Sequence, residues 1–418
     1  MLRLLVIIPD RISDILEKGE YQPGYYNPGE VFDEVHLLTT TDDHPPLDLL
    51  QRTVGSARLF LHNHPDDLTL VGRRPEFLTE RRLRKWAKPG VEIARRVAPH
   101  LIRCHGADWN TYLASRIKAE LGIPYVVSLH INPDVNPVRR FVGPGPTPAQ
   151  ARRNRFYEHI EAAGLRNADL AMPVYRPILP YLHRIGAPRV EVCYNVLNTL
   201  HLREKTDYAL HAPPRIVYVG RLFAEKNPAP IIRAVARLPG VALTIVGDGP
   251  IRGDLESLTE ELSVADRVRF LPAVANDALC ALLAEQDIFA VHSEYWEISK
   301  SVLEALLTGL PVVINRRSGE PVPELEGDFA LKVEPTEEGY LAALRHLLED
   351  DAARAALGGR AFAHARAAWA PAITEAKVAE IYRRLLETCG SHPDRLHCIS
   401  SRAKSMPDDL TPDGTDNG

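Results

Sequence analysis

Arg221 and Lys226 stand close together in VGRLFAEKN, directly after the apolar run RIVYVG. Such a run is what a buried strand of a parallel sheet looks like, so the two cations fall just past a strand's carboxyl end. Asn227 suits a helix N-cap and Pro228 a first helical residue. Two cations beside a helix N-terminus make an anion site, and a diphosphate is the natural guest. The competing reading is two surface cations paired with Glu225 or Asp248. Their place at the strand end favours the anion site.

A second stretch, SEYWEISKSVLEALLTGLPVV, begins at Ser293. It follows the apolar DIFAVHS and reads as loop, short helix, strand, with Gly309 and Pro311 ending the helix. Ser299, Lys300, Ser301 and Val302 sit at the loop-to-helix junction. A helix N-terminus aimed out of the carboxyl edge of a parallel sheet is where α/β proteins bind phosphorylated ligands. Glu304 lies one turn in. It has two readings: an acceptor of hydrogen bonds from ribose hydroxyls, or the partner of Ser301 in a capping box, since Ser301-x-x-Glu304 has that spacing. In VGDGP, Gly247, Asp248 and Gly249 form a tight turn that would let the backbone approach a flat base, or would serve as a simple turn. It is not GxGxxG, which makes a nicotinamide dinucleotide a poor fit. His130 ends the run PYVVSLH, where its ring can donate to a substrate hydroxyl or phosphate. It could equally be a histidine satisfied at a core edge, as could His105 at the end of IRCHG.

The elements that must position these residues alternate strand and helix. LRLLVIIP, EVHLLTT, ARLFLHN, IRCHG, PYVVSLH and NADLAMPV read as strands of a first half, which closes with RVEVCYN. RIVYVG, VALTIVG, VRFLP, DIFAVHS and PVVIN read as strands of a second. The helices of the second half are PAPIIRAVARL, GDLESLTEELS, NDALCALLAEQ and SVLEALLTG. Alternation of this kind means βαβ units and parallel sheets. The polar, proline-bearing HLREKTDYALHAPP marks the boundary. The expected organisation is α/β: two Rossmann-like doubly wound parallel-sheet domains, residues 1–200 and 201–388, facing a cleft. A helix ending near Glu387 closes the second. Residues 389–418, rich in Ser, Pro and Asp without periodicity, read as a disordered tail.

The 418 residues, 45% apolar and 25% charged, fit a globular protein of two ordinary domains, and the net charge of −5 argues against a dedicated nucleic-acid binder. Five scattered cysteines without a CxxC pair suit reduced, cytoplasmic thiols rather than disulfides or a zinc site. No apolar run has the length of a membrane span, and the apolar first ten residues read as a strand, not a signal peptide. GxSxG, HExxH and GxxxxGK[ST] are all missing, so serine hydrolase, zinc protease and P-loop readings lack support. Positive charge clusters twice in the first half. Arg73, Arg74, Arg81, Arg82, Arg84, Lys85 and Lys88 form one group; Arg139, Arg140, Arg152, Arg153 and Arg155 form the other. These read as solvated faces. The alternative is a surface for an anionic acceptor or for peripheral contact with the inner face of a membrane.

Taken in order, VGRLFAEKN, VGDGP and the stretch ending EALLTGLPVV resemble the nucleotide-binding half of glycosyltransferase family 4, the retaining enzymes of GT-B fold. YNPGEVFDEVH, PYVVSLH and CYNVLNT echo the family's first half. The resemblance implies a nucleotide-sugar donor, UDP- or GDP-linked, and transfer of a hexose-type sugar to a saccharide or lipid-linked saccharide, as in surface polysaccharide or lipopolysaccharide synthesis. It implies that Arg221 and Lys226 hold the donor diphosphate and that Glu304 holds the ribose. His130 would lie near the transferred sugar, and backbone amides around Ser299 to Val302 would contact the sugar and distal phosphate. No obligatory metal or other cofactor is implied. The chain departs from the family's pattern at Trp296, where a glutamate is usual. Glu297, one residue later, could take that role after a shift of the loop, and Glu294 lies two residues earlier. The glycine-rich loop near the first strand is reduced to Lys18-Gly19-Glu20. Two other readings are an epimerase on the same fold and a non-catalytic subunit that binds a partner glycosyltransferase.

Overall fold

The computed structural model describes residues 1–17, 22–72, 79–136, 140–195, 197–296 and 298–390. Glu297, the Lys18-Gly19-Glu20 loop, Arg73, Arg74, Arg139 and the tail from 391 lie outside the described residues.

Two six-stranded parallel sheets carry the fold. The first is built from β1 (Arg3–Ile8), β2 (Glu34–Thr39), β3 (Arg58–Asn63), β4 (Leu101–His105), β5 (Tyr125–Leu129) and β6 (Leu170–Pro173). Their order is β3-β2-β1-β4-β5-β6. The second holds β7 (Arg215–Val219), β8 (Ala242–Val246), β9 (Val268–Leu271), β10 (Ile288–Val291), β11 (Val312–Asn315) and β12 (Leu331–Val333). Its order, β12-β11-β10-β7-β8-β9, is the same pattern repeated. Helices cover both faces, so the central strands are apolar throughout: Leu4, Leu5, Val6 and Ile7 of β1 are all fully buried, as are Ile216, Val217 and Tyr218 of β7. The order reverses between β1 and β4 in the first sheet and between β7 and β10 in the second. A doubly wound sheet opens a crevice at that reversal, beyond the carboxyl ends of its strands.

RVEVCYN adds only an isolated bridge between Val190 and Ala171. The boundary segment expected near residue 201 lies between β6 and β7. The closing helix, Pro371–Gly390, packs on the first sheet rather than the second. Its Val378, Ile381 and Tyr382 join Leu4, Val6 and Val126 in one core, and Tyr382 accepts a 2.7 Å hydrogen bond from the buried Arg103 of β4.

Among the basic residues, Arg81, Arg84, Lys85 and Lys88 lie exposed on the helix Thr79–Val97. Arg140 does not belong to a surface cluster. It is buried and paired with Glu161 and Asp134. An arginine inside the protein needs a carboxylate partner, and Glu161 supplies it.

Candidate active site at the switch point of the second sheet

The crevice between β7 and β10 receives the loops that follow both strands. After β7 the chain passes Arg221, makes a single 3-10 turn over Ala224–Lys226, and enters the helix Ala229–Ala236. The helix begins one residue later than the sequence suggests. Pro228 takes the N-cap position, while the Asn227 side chain still caps, accepting from the Ala229 N–H at 2.9 Å. After β10 the chain runs through Ser293–Ser299 into the helix Lys300–Thr308. The two loops are joined directly, because the Glu294 N–H donates to the Glu225 carbonyl at 2.7 Å. Two helix N-termini and two cations therefore meet at one edge, which is a positive site by construction.

Both cations rest against aromatic rings. The Arg221 guanidinium lies 5.1 Å from the centre of the Phe223 ring. Lys226 is only 7% exposed, and its ammonium lies 4.9 Å from the Tyr295 ring centre. A ring face attracts a cation in either setting, more strongly at the buried Lys226 than at the exposed Arg221. Asp248 is not their partner: it accepts from Arg252 at 2.7 Å and from the Ala273 N–H at 3.0 Å, and these bonds, the backbone one first, hold its carboxyl below the usual range.

Ser301 and Glu304 do not form a capping box. Ser299 occupies the N-cap position, and Ser301 lies inside the helix with its hydroxyl donating to the Val219 carbonyl at 2.9 Å. Ser299 and Ser301 hydroxyls lie 3.1 Å apart. Glu304 is 6% exposed, and Asn276 Nδ2 donates to its Oε1 at 3.1 Å. The capping geometry fails because the helix starts one residue before Ser301, which places the serine beyond the cap.

Gly247 and Gly249 have φ of 142° and 159°, and a Cβ at either would stand 2.0 Å from a backbone oxygen, of Gly220 and Leu222 respectively. The close approach these glycines permit is to the chain's own VGRLF segment, and Leu222 donates its N–H to the Asp248 carbonyl at 2.9 Å. The turn thereby braces the segment that carries Arg221.

Of the acidic residues near Trp296, Glu294 is committed elsewhere. Its Oε1 accepts from Asn315 at 2.7 Å and its Oε2 from the Ser318 backbone and hydroxyl. Trp296 and Ile298 are both buried in the core.

His130 belongs to the first sheet, at the end of β5. It is half-buried, and its Nε2 is shielded from solvent with no hydrogen-bond partner within the protein. Burial, then the charges of Arg103 and Lys300, push its pKa down to about 4, while a hydrogen bond with Asn195 pulls the other way. His130 is thus a neutral imidazole near pH 7. Among the described residues, hydrogen bonds join the carboxyl edge of the first sheet to loops of the second, from Asn136 Nδ2 to the Tyr295 hydroxyl at 3.3 Å and from the Arg176 N–H to Glu324 Oε1 at 2.6 Å. A small cavity beside His130 is lined by Tyr25, Arg103, Ser128, Tyr194 and Asn195. Sequence reasoning missed Arg103, Phe223, Asn276 and Tyr295. Phe223 and Tyr295 were the findable ones, since each neighbours a residue already singled out.

Two Rossmann-like sheets of equal order with a cation-lined crevice between their carboxyl edges define the GT-B class of glycosyltransferases. Residues 31–195 match the family described as "Glycosyl transferase 4-like domain" and residues 204–364 match "Glycosyl transferases group 1". The chain belongs to this glycosyltransferase family. It is similar to the lipopolysaccharide core biosynthesis glycosyltransferase LpsE of Rhizobium meliloti (strain 1021), 35% identical over 38% of this chain and 46% of the relative. It thus spans less than half of that relative's length. The α-D-kanosaminyltransferase of Streptomyces kanamyceticus is 27% identical over 70% of this chain and 78% of its own. Among solved structures, Anabaena Alr3699/HepE in complex with UDP shares the fold with a TM-score of 0.68 and 17% identity, over 92% of this chain and all of its own. Among the described residues, no helix is long and apolar enough to cross a membrane.

Proposed function

We propose that this protein transfers a hexose-type sugar, with retention, from a UDP- or GDP-linked donor to a hydroxyl of a glycan or lipid-linked saccharide. The observation that carries the reading is the convergence of Arg221, Lys226 and two helix N-termini at the switch point of the second sheet. When the bond from the anomeric carbon to the distal phosphate oxygen breaks, negative charge collects on the departing diphosphate. Fixed positive charge stabilises it where it develops and needs no reorganisation to do so. The reading needs no metal, because the two cations and the helix ends supply that charge. Neutral His130, with its unpartnered Nε2, would hydrogen-bond the transferred sugar from the opposite wall, and Glu304 would hold the ribose. Transfer to a saccharide acceptor draws further support from relatives named for lipopolysaccharide core synthesis.

The deciding measurement is a thermal-shift screen with UDP, GDP and ADP on the parent and on an Arg221→Ala/Lys226→Ala variant. A ligand that binds only the folded state raises its stability. The parent is expected to respond to UDP or GDP rather than ADP, and the variant to none of the three. Equal responses would remove the basis of the reading. The anomeric configuration of the product tests retention.

A second reading, a nucleotide-binding but non-catalytic GT-B subunit, is favoured by Trp296, which is buried where the family usually places a glutamate. Nucleotide binding without turnover of any nucleotide sugar would select it.

A further inference from the structure

Tyr295 touches both halves of the molecule at once. Its ring face takes the Lys226 ammonium at 4.9 Å, and its edge meets Phe223 with ring centres 6.0 Å apart and planes at 88°. Phe223 in turn lies under Arg221. The Tyr295 hydroxyl accepts from Asn136 Nδ2 at 3.3 Å. Asn136 is buried on the segment that leaves β5 through His130. That segment is itself anchored: Asn132 donates to the Pro177 carbonyl at 3.0 Å, and Asp134 pairs with Arg184 at 2.8 Å and with Arg140. A short chain of contacts therefore runs from the diphosphate cations, through one tyrosine, to the histidine-bearing segment of the other sheet.

We propose that Tyr295 and Asn136 form a latch across the cleft, with Tyr295 as a positioning residue. Its ring fixes Lys226 for the diphosphate, and its hydroxyl draws the His130 segment against the donor. The inference rests on the donor-site reading above and adds to it the device that joins the halves. The two functions of Tyr295 are chemically separable. The ring face does the first, worth about five- to thirty-fold in affinity for a buried ammonium against a half-buried ring. The hydroxyl does the second, and a single long hydrogen bond is worth about three- to ten-fold in an equilibrium. A contact of that strength holds the halves together yet opens often enough to exchange ligands.

The test uses the full chain, with calorimetric titration of UDP, GDP and ADP and small-angle scattering of each nucleotide-bound form. Tyr295→Phe keeps the ring and removes the hydroxyl. Tyr295→Ala removes both, and Asn136→Ala removes the other partner. The expected result is that Tyr295→Phe and Asn136→Ala bind the nucleotide within about two-fold of the parent but shift the closed-to-open ratio by about three- to ten-fold, seen as a larger radius of gyration. The double variant Tyr295→Phe/Asn136→Ala is expected to match either single one, since both remove one bond. Tyr295→Ala should also lose about five- to thirty-fold in affinity. Scattering unchanged in both single variants overturns the latch while leaving the donor site intact. So does an affinity loss in Tyr295→Phe equal to that of Tyr295→Ala. A parent that binds none of the three nucleotides overturns the donor-site reading, and the latch with it.

Discussion

The hydroxyl of Ser301 donates to the backbone carbonyl of Val219 at 2.9 Å. This bond ties the first turn of the helix after β10 to the end of β7, across the crevice where the sheet order reverses. It fixes the distance between the helix N-terminus and the Arg221–Lys226 segment, which follows Val219 directly. An anion held by both must find them at that spacing.

Removing the bond should cost stability and affinity together. Both partners are buried, so Ser301→Ala leaves the Val219 carbonyl short of a donor, a loss of about 1–2 kcal/mol. Urea denaturation measures it. The nucleotide that binds the parent should bind the variant more weakly, because two walls of its site are no longer held in register. A variant with parental stability and parental affinity would show that the bond positions nothing.

The glycines of VGDGP make a sharper structural prediction. Gly247→Ala and Gly249→Ala would each push a Cβ to 2.0 Å from a backbone oxygen of the Gly220–Leu222 segment, at positive φ. Backbone cannot swing aside as a flexible side chain does, so each change should cost about 1–3 kcal/mol. Because that segment carries Arg221, nucleotide affinity should fall with stability. Chemical denaturation and titration on the same samples check both.

Some of this was legible from residues alone. RIVYVG and DIFAVHS are apolar because helices bury both faces of the sheet, and that pattern located β7 and β10 and hence the crevice. Arg103 was not legible. It sits in the middle of a strand, and its partner Tyr382 lies 279 residues away, so no local pattern announces the pair. The Asn136–Tyr295 bond, between residues 159 apart, is hidden for the same reason. The glycines of VGDGP signalled a special backbone, but a sequence cannot say that the nearest neighbour is the chain's own Gly220 rather than a base. The Ser301–Glu304 spacing fits a capping box, yet the cap falls to Ser299, since the first turn of a helix is set by where the preceding loop enters it.

Acid should destabilise the fold through its buried histidines. His36 stacks on Phe60, and its Nδ1 lies 3.0 Å from His62 Nε2. Burial first and His62 second push its pKa down to about 4, against the pull of Glu34. The unfolded value is about 6.5. Between these two values the unfolded chain binds a proton that the folded chain does not. Stability from this source is therefore complete above about pH 6.5 and is lost as pH falls toward 4. One such group changes stability by at most about 1.4 kcal/mol per pH unit in that window. His36→Gln should flatten the slope there, and denaturation curves from pH 7 to 4.5 would show it. His130, displaced in the same direction by burial, Arg103 and Lys300, stays uncharged across pH 6–8. A pH profile of turnover should therefore show no break near 6.5 that His130→Gln abolishes.

Glu304 offers a test of which part of the ligand lies where. It is buried five residues into the helix Lys300–Thr308, where Asn276 Nδ2 donates to its Oε1. A carboxylate so placed accepts hydrogen bonds strongly, and a bond to a charged acceptor is worth about 1.5–3 kcal/mol, or tenfold and more in affinity. If it receives a ribose hydroxyl, the parent should bind a ribonucleoside diphosphate at least about tenfold more tightly than its 2′-deoxy or 3′-deoxy counterpart. Glu304→Gln retains an acceptor oxygen and the contact with Asn276 but loses the charge, so it should bind the ribonucleotide more weakly and discriminate less. Its affinity for the matching deoxynucleotide should change little, because the missing hydroxyl never used the charge. Equal losses for both ligands would make Glu304 a support for the helix rather than a reader of the sugar ring.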